Sequence, residues 1–441
     1  MGPKEFLQNL FQESLDRCSP SRSVSEYIQL DKQTNQLTIH DQLFDVEDRP
    51  IFALAVGKAA VPMFKAVDRI VGDYLTGSMV ITSDRSKLAS CPADKVLVGS
   101  HPVPDENSLN AGRKAKQFLE HLPANAILIT LISGGTSSLL CSPAEGISIH
   151  DLNHTFELLN NSGATIREIN TVRKHCSQIK GGQLLNCLSP DISLVDLVIS
   201  DVPGNDLSII GSGPTTPDGS TFQDAYHILL ENNLWNYIPE SAHAHIEKGL
   251  TGETPETIKP GKDPLNFHKS YIISSAAKLA QKIAALAQEA SIHCNVSDSA
   301  FNEDVQVVAT QIAGQLNESS QKTSKSLLHI FYGESTVNVT GNGKGGRNQE
   351  LALRGALEIK GMKDVTWLSA GTDGVDGPTD AAGAIVDGQT IAKAKERGLD
   401  PQKYLKDNDS YRFHQQMGTL LKTGPTGNNL MDVVLVLLNY G

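Results

Sequence analysis

The sequence predicts an α/β protein of two domains, each built on a largely parallel sheet. Three observations carry this. Continuous apolar runs of strand length recur along the chain, as in IFALAV (51–56) and AILITLI (126–132), the pattern of strands buried on both faces. Helical patterns lie between several of these runs, which is the β-α-β alternation of a parallel sheet covered by helices. The 441 residues also exceed what one ordinary hydrophobic core accommodates.

The elements follow in order. Phe6, Leu7, Leu10, Phe11 and Leu15 mark an amphipathic helix at the start, with charged and amide residues where a secretory signal would be apolar. IFALAV is the first buried strand. It passes through Gly57-Lys58 into a helix with Pro62 in its first turn, where proline is tolerated. MVIT (79–82), VLVGS (96–100), AILITLI and LVDLVIS (194–200) are further strands, and SLNAGRKAKQFLEHL and HDLNHTFELLNNSG are helices between them. The stretch 251–270 is rich in proline and glycine and poor in apolar residues, so it is the expected linker between a domain at 1–250 and one at 271–441. YIISS then opens a second alternation that runs through IHCNV, LLHIFYG, TVNVT (336–340) and VTWLSA to VVLVLL (433–438).

Composition narrows the function. The chain is 39% hydrophobic and 20% charged, with a net charge of −12. An acidic surface argues against nucleic acid as the main partner, and no apolar run is long enough for a membrane span. Six cysteines without a C-x-x-C pair read as reduced thiols of a cytoplasmic enzyme. The expected state is a monomer or homodimer.

In open sheets of this kind ligands bind beyond the carboxyl ends of the strands. Those ends carry Gly57-Lys58, then HPVPDENS with His101, then SGGTSSLL with Ser133, Gly134, Gly135 and Thr136, then SDVPGNDLSIIGSGPTTPDGS. In the second half, TVNVT leads into glycines 341, 343, 345 and 346 and a helix. This is the strand, loop and helix N-terminus that favour an anion. Gly341, Gly343 and Gly346 also spell G-x-G-x-x-G, the dinucleotide fingerprint. However, the next strand ends at Asp373, much farther on than that motif requires, and the loop adds Lys344 and Arg347. Cations at Lys58, Lys180, Lys344 and Arg347, with carboxylates at Asp201, Asp206, Asp373 and Asp376, are the parts that phosphoryl transfer needs. The P-loop and protein-kinase motifs are both missing.

The strings GKAAVPM, HPVPDENS, SGGTSSLL, NTVRKHCSQIKGGQL, SDVPGNDLSIIGSGPT, GKGGRNQELAL, GTDGVDGPTDAAGA and GPTGNN, in this order, resemble the type II glycerate kinase family. The resemblance extends over its C-terminal domain, the multi-organism fragment with rich leucine. It implies two Rossmann-like domains with the active site in the cleft between them. It also implies ATP- and Mg2+-dependent phosphorylation of D-glycerate, most often to 2-phosphoglycerate, with 3-phosphoglycerate as the other product open. Lys58, Asp201 and Arg347 match residues taken as catalytic in that family, and Asp373 matches its GTDG aspartate. Asp373 and Asp206 are the expected metal ligands. Ser133 to Thr136, Lys180, His101 and the 341–346 loop are the expected substrate and phosphate contacts. Three positions depart from the pattern: Asn205 displaces the second acid of its loop to Asp206, Gln183 replaces an arginine, and Asn428 replaces a threonine. Two other readings stay open, an NAD(P)-dependent reductase of hydroxypyruvate and a sensor that binds without turnover.

Overall fold

A computed structural model of the chain describes residues 1–320 and 325–439. It forms two compact units, Pro20–Ile273 and Met1–Ser19 with Ser274–Gly441.

The first unit begins with a small antiparallel sheet, β1 (Ile28–Asp31), β2 (Gln36–Ile39) and β3 (Gln42–Asp45). Its main sheet contains β4 (Ile51–Val56), β5 (Leu75–Thr82), β6 (Lys95–Val98), β7 (Ile127–Ile132), β8 (Ser193–Ile199) and β9 (Phe267–Ser274). The order is β6-β5-β4-β7-β8-β9, and each pair from β6 to β8 is parallel. This is the doubly wound order in which the chain reverses its direction of growth between two central strands, here β4 and β7. Every residue of β4, β7 and β8 is buried, as their unbroken apolar runs require.

One residue of β8 breaks that apolar run. Asp196 is fully buried and accepts hydrogen bonds from Thr130 on β7, from Thr215 (2.8 Å), and from Ser270 (2.7 Å) and His268 Nε2 (2.9 Å) on β9. His268 also pairs with Asp263 through its other ring nitrogen. These bonds pin β9 to the sheet, because a buried carboxylate is tolerated only when it is fully partnered.

The second unit's sheet contains β10 (His293–Val296), β11 (Leu327–Gly333), β12 (Val365–Gly371), β13 (Gly383–Asp387), β14 (Leu420–Leu421) and β15 (Asp432–Leu438), in the order β10-β11-β15-β12-β13-β14. Among these strands only β10 and β11 pair in parallel. β15 lies antiparallel between β11 and β12, and β13 and β14 continue antiparallel at the edge. The helix Pro3–Arg17 belongs to this unit. It buries Leu7, Phe11 and Leu15, and the carbonyl of Leu15 accepts a bond from Asn428 Nδ2 at 3.1 Å.

Four expectations change. The second sheet is mixed, whereas the first is the largely parallel, Rossmann-like one. YIISS lies in β9 of the first sheet and does not open the second. The stretch expected to link the domains at 251–270 is held along the first unit. Ile258 N bonds to Gly181 O (3.2 Å), Asp218 N to Ile258 O (2.6 Å) and Asn266 N to Pro190 O (2.9 Å). Its polar composition reflects a surface course. TVNVT at 336–340 forms no strand, for Thr336 makes one isolated bridge with Asp304 and Val339 is 71% exposed. Alternation alone does not make a strand where no neighbour offers a ladder. Among the described residues no helix is long and apolar enough to cross a membrane.

Burial alone would lower the His268 pKa, but the charge and hydrogen bond of Asp196, with Asp263, raise it from 6.5 to about 9. A base whose pKa is higher in the folded state stabilises fully below its unfolded pKa, and that stability is lost as pH rises through the folded value. His268→Gln should therefore lower the melting temperature most below pH 6.5, and its gap to the parent should narrow toward pH 9 and above. A gap that is flat across a pH series of thermal melts would leave the charge of this pair without a role.

Candidate active site

Between β4 and β7 two strand-end loops close on one another. Lys58 N donates to Gly134 O (2.9 Å), Ala59 N to Ser133 Oγ (3.1 Å) and Thr136 Oγ1 to Val56 O (3.0 Å). Asp201, just beyond β8, lies against the backbone of the same loop. A Cβ built on Gly134 would stand 2.1 Å from Asp201 Oδ2, so no residue but glycine lets the carboxylate come so close. Lys58 is exposed and has no ion pair among the described residues. Its charge reaches His101, whose pKa falls below the ordinary imidazole value through partial burial first and Lys58 second. The structure thus brings together Lys58, His101, the Ser133 to Thr136 loop and Asp201.

Two other expected contacts have different partners. Lys180 was expected on a phosphate, but it is buried and its ammonium donates to the carbonyls of Ser137 (2.8 Å) and Leu140 (3.4 Å). Burial lowers its pKa to about 8. It therefore braces the turn that follows the glycine loop. Asp206, expected on a metal, closes its own turn by accepting from Ser208 N (2.9 Å) and faces Arg167 at 3.6 Å. Gln183, where an arginine was expected, donates to the carbonyls of Lys174, Ser177 and Lys180.

In the second unit the glycine loop departs most from its sequence reading. Its amides do not form an open nest. Thr340 N and Gly341 N both bond to Asn408 Oδ1 (2.9 Å each), Asn342 N to Asp407 Oδ1 (3.0 Å), Gly343 N to Asp407 O (2.7 Å) and Lys344 N to Asp409 Oδ1 (2.8 Å). The Lys344 ammonium rests over the Tyr411 ring, 4.6 Å from its centroid. The helix Arg347–Glu358 does attract an anion at its N-terminus, as its dipole requires. That anion is Asp376, which accepts from Asn348 N (3.0 Å) and Gln349 N (2.8 Å). The expected cradle of Gly341, Gly343, Lys344, Gly345 and Gly346 is thus largely filled by the protein's own turn at 407–409, through the Asn408 amide oxygen, the Asp407 carbonyl and the carboxylates of Asp407 and Asp409.

Arg347 is likewise engaged. Its fork holds Asp432 through Nε (2.6 Å) and Nη2 (3.2 Å), and Nη1 pairs with Glu334. Burial pushes the Asp432 carboxyl up, and Arg347 opposes that push. Asp373 is exposed at the end of β12, its Oδ1 accepting from Val375 N (3.0 Å) and its carbonyl from Thr426 N (3.1 Å). A Cβ built on Gly371 would lie 3.1 Å from Asp373 Oδ1 and 3.5 Å from both Asp432 Oδ1 and Asn348 Nδ2. Asp373, Asp432 and Asn348 therefore converge there with Arg347. Asp432 was not singled out in the sequence. It sits 85 positions from Arg347, and only its place at the mouth of the last apolar run marked it.

The chain matches two family models, the Domain of unknown function (DUF4147) over residues 6–247 and the MOFRL family over 327–432. A "Glycerate 2-kinase" of Pyrococcus horikoshii is 37% identical over 99% of this chain and 98% of its own. This chain belongs to the glycerate 2-kinase family. The crystal structure of a glycerate kinase from Thermotoga maritima superposes with a TM-score of 0.86 at 36% identity, over 99% of each chain. A relative from Agrobacterium vitis bears the name "Putative hydroxypyruvate reductase", at 35% identity over 87% of this chain and 86% of its own.

Because the Asp201 carboxylate rests on the Gly134 backbone, Gly134→Ala should displace it. We expect turnover to fall at least about tenfold, with the melting temperature little changed because the added methyl meets a partly exposed side chain. Unchanged turnover in a folded variant would separate Asp201 from the chemistry.

Proposed function

We propose that the protein phosphorylates D-glycerate with ATP at the 2-hydroxyl. The observation that carries this is the joining of Lys58, the Ser133 to Thr136 loop and Asp201 at the point where the sheet order reverses. Attack of an alcohol on a phosphoryl group needs the alcohol's proton removed as the new bond forms. Asp201 is assigned that proton. Lys58, exposed and without an acid partner among the described residues, offsets negative charge on the transferring phosphoryl oxygens. The imidazole of His101, held toward its neutral form, donates or accepts a hydrogen bond from substrate.

Asp373 is assigned to a magnesium ion. Among the described residues no group of three or more His, Cys, Asp or Glu side chains could hold a metal. A single exposed carboxylate fits magnesium, which commonly binds one or two carboxylates and takes its remaining ligands from phosphates and water. An ion held there would offset negative charge on the phosphates it binds. Arg347, gripped by Asp432 and Glu334, keeps that end of the second unit ordered.

The direct test is phosphorus NMR of the product formed from ATP, magnesium and D-glycerate. A 2-phosphate signal is expected, and a 3-phosphate signal would correct the hydroxyl. Thermal stabilisation by NADH and not by MgATP would turn the reading to the reductase, since a ligand stabilises what it binds. ATP stabilisation with no ADP formed would indicate a sensor.

Two variants separate the carboxylates. Asp201→Asn should lower the maximal rate by roughly 10²–10⁴-fold, the usual size of general-base catalysis, with the apparent ATP affinity kept. Asp373→Asn should instead raise the magnesium concentration needed for half-maximal rate and recover partly with excess metal. The opposite pattern would exchange the two roles.

A further inference from the structure

The first unit holds a polar cavity that none of these assignments uses. The helix Ile166–His175 lines it with Arg167, Asn170 and Lys174, at the three- and four-residue spacings that place side chains on one face. Ser208, Asp218 and Ser220 line the other side, from the long loop after β8, and the cavity, open to solvent, has a volume of about 400 Å³.

Lys174 is the unusual member. Its side chain is only 6% exposed, and its ammonium has one hydrogen bond, to Asp218 Oδ1 at 3.1 Å. Asp218 is already saturated, accepting from Ser220 N (3.1 Å), from Ser220 Oγ (2.8 and 2.9 Å) and from Thr257 Oγ1 (3.0 Å). An ammonium has three donors, and buried donors are nearly always satisfied. Lys174 therefore keeps donors that can meet acceptor oxygens in the cavity it lines. Arg167 is 77% exposed, and its only carboxylate neighbour among the described residues, Asp206 at 3.6 Å, is beyond hydrogen-bond length. The protein is acidic overall, so two cations with unused donors on one wall are a local arrangement.

The cavity is tied to the strand ends. Ser212, in the loop that starts at Asp201, donates to Asn170 Oδ1 (2.7 Å) and shares a hydrogen bond with Ser137 Oγ (3.0 Å), two residues past the glycines of its loop.

We infer that this cavity is a carboxylate subsite for a small hydroxy acid, gripped by Lys174 and by the fork of Arg167. A carboxylate supplies oxygens for the remaining donors of Lys174 and matches the two-pronged geometry of a guanidinium. If the kinase reading above is right, the acid is glycerate, and Arg167 and Lys174 set the enzyme's preference for a carboxylate-bearing alcohol. The pocket's affinity for the anion does not depend on that reading.

The test combines calorimetry without ATP and steady-state kinetics, on the full chain and on Arg167→Ala and Lys174→Met. D-glycerate should bind the parent protein, and glycerol, which lacks the carboxylate, should not. Arg167→Ala should raise the KM for glycerate at least about tenfold, the effect of losing one charge-assisted pair, with the KM for ATP unchanged and kcat within a few-fold. Lys174→Met should do the same or more. It strips a buried acid of its partner, so if it fails to fold, the exposed Arg167 decides alone. A glycerate KM within twofold of the parent in folded Arg167→Ala would overturn the assignment. So would calorimetry in which inorganic phosphate binds and glycerate does not. Glycerate binding that Arg167→Ala abolishes, in a protein without kinase turnover, would uphold the subsite and reject the kinase.

Discussion

β4 and β7 are buried on both faces along their whole length, and this restricts where the protein can do chemistry. Strands of this kind carry mostly apolar side chains on both sides, so polar groups open to a ligand gather where the strands stop, while Thr130 of β7 is closed off against Asp196. The order of the first sheet reverses between them, which is the point where open sheets of this kind bind ligands, and the loops at their carboxyl ends meet there. They close on each other through Lys58, Ser133 and Gly134. The loop after β8 brings Asp201 to the same place. Helix caps, buried hydroxyls and the braced Lys180 hold these short segments in position around the ends of the strands.

The first unit was largely legible in the sequence, because its strands are uninterrupted apolar runs and its chemistry follows them directly. Lys58, Gly134 and Asp201 each stand within two residues of such a run. The second unit was less legible, for a physical reason. Its sheet is mixed, so strand ends do not all point one way, and the partners of a residue come from distant segments. Nothing local in the sequence shows that the turn at 407–409 reaches the amides of 340–344, or that Asp432 takes the fork of Arg347. A glycine-rich loop with lysine and arginine looks like an anion site in either case. Whether the anion is a ligand or a side chain is decided by contacts that periodicity and spacing do not encode. The edge strand β9 misled for a related reason: the polar stretch before it resembles a linker, but it lies along the surface of the same unit.

The acids of the second unit give the negative charge of the chain part of its purpose. Asp376 sits on the N-terminus of the helix Arg347–Glu358, Asp407 and Asp409 hold the glycine loop, and Asp432 and Glu334 hold Arg347. Each fills a place that a phosphate could otherwise occupy. Cations without an acid partner among the described residues remain in both units, Lys58 in the first and Lys344, over the Tyr411 ring, in the second.

The helix Pro3–Arg17 precedes the first unit in the chain but packs in the second. It packs in the unit formed by Ser274–Gly441, while the chain from Pro20 to Ile273 forms a unit of its own. During synthesis the whole first unit can leave the ribosome and fold while Leu7, Phe11 and Leu15 still have nothing to cover them. The carbonyl of Leu15 gains its bond only when Asn428 has been added, close to the end of the chain. Until residues beyond Ser274 are added, the apolar side chains of this segment thus lack the partners of their own unit. The second unit cannot be completed from its own contiguous segment, so a gene fragment beginning at Ser274 would encode a sheet without one of its covering helices.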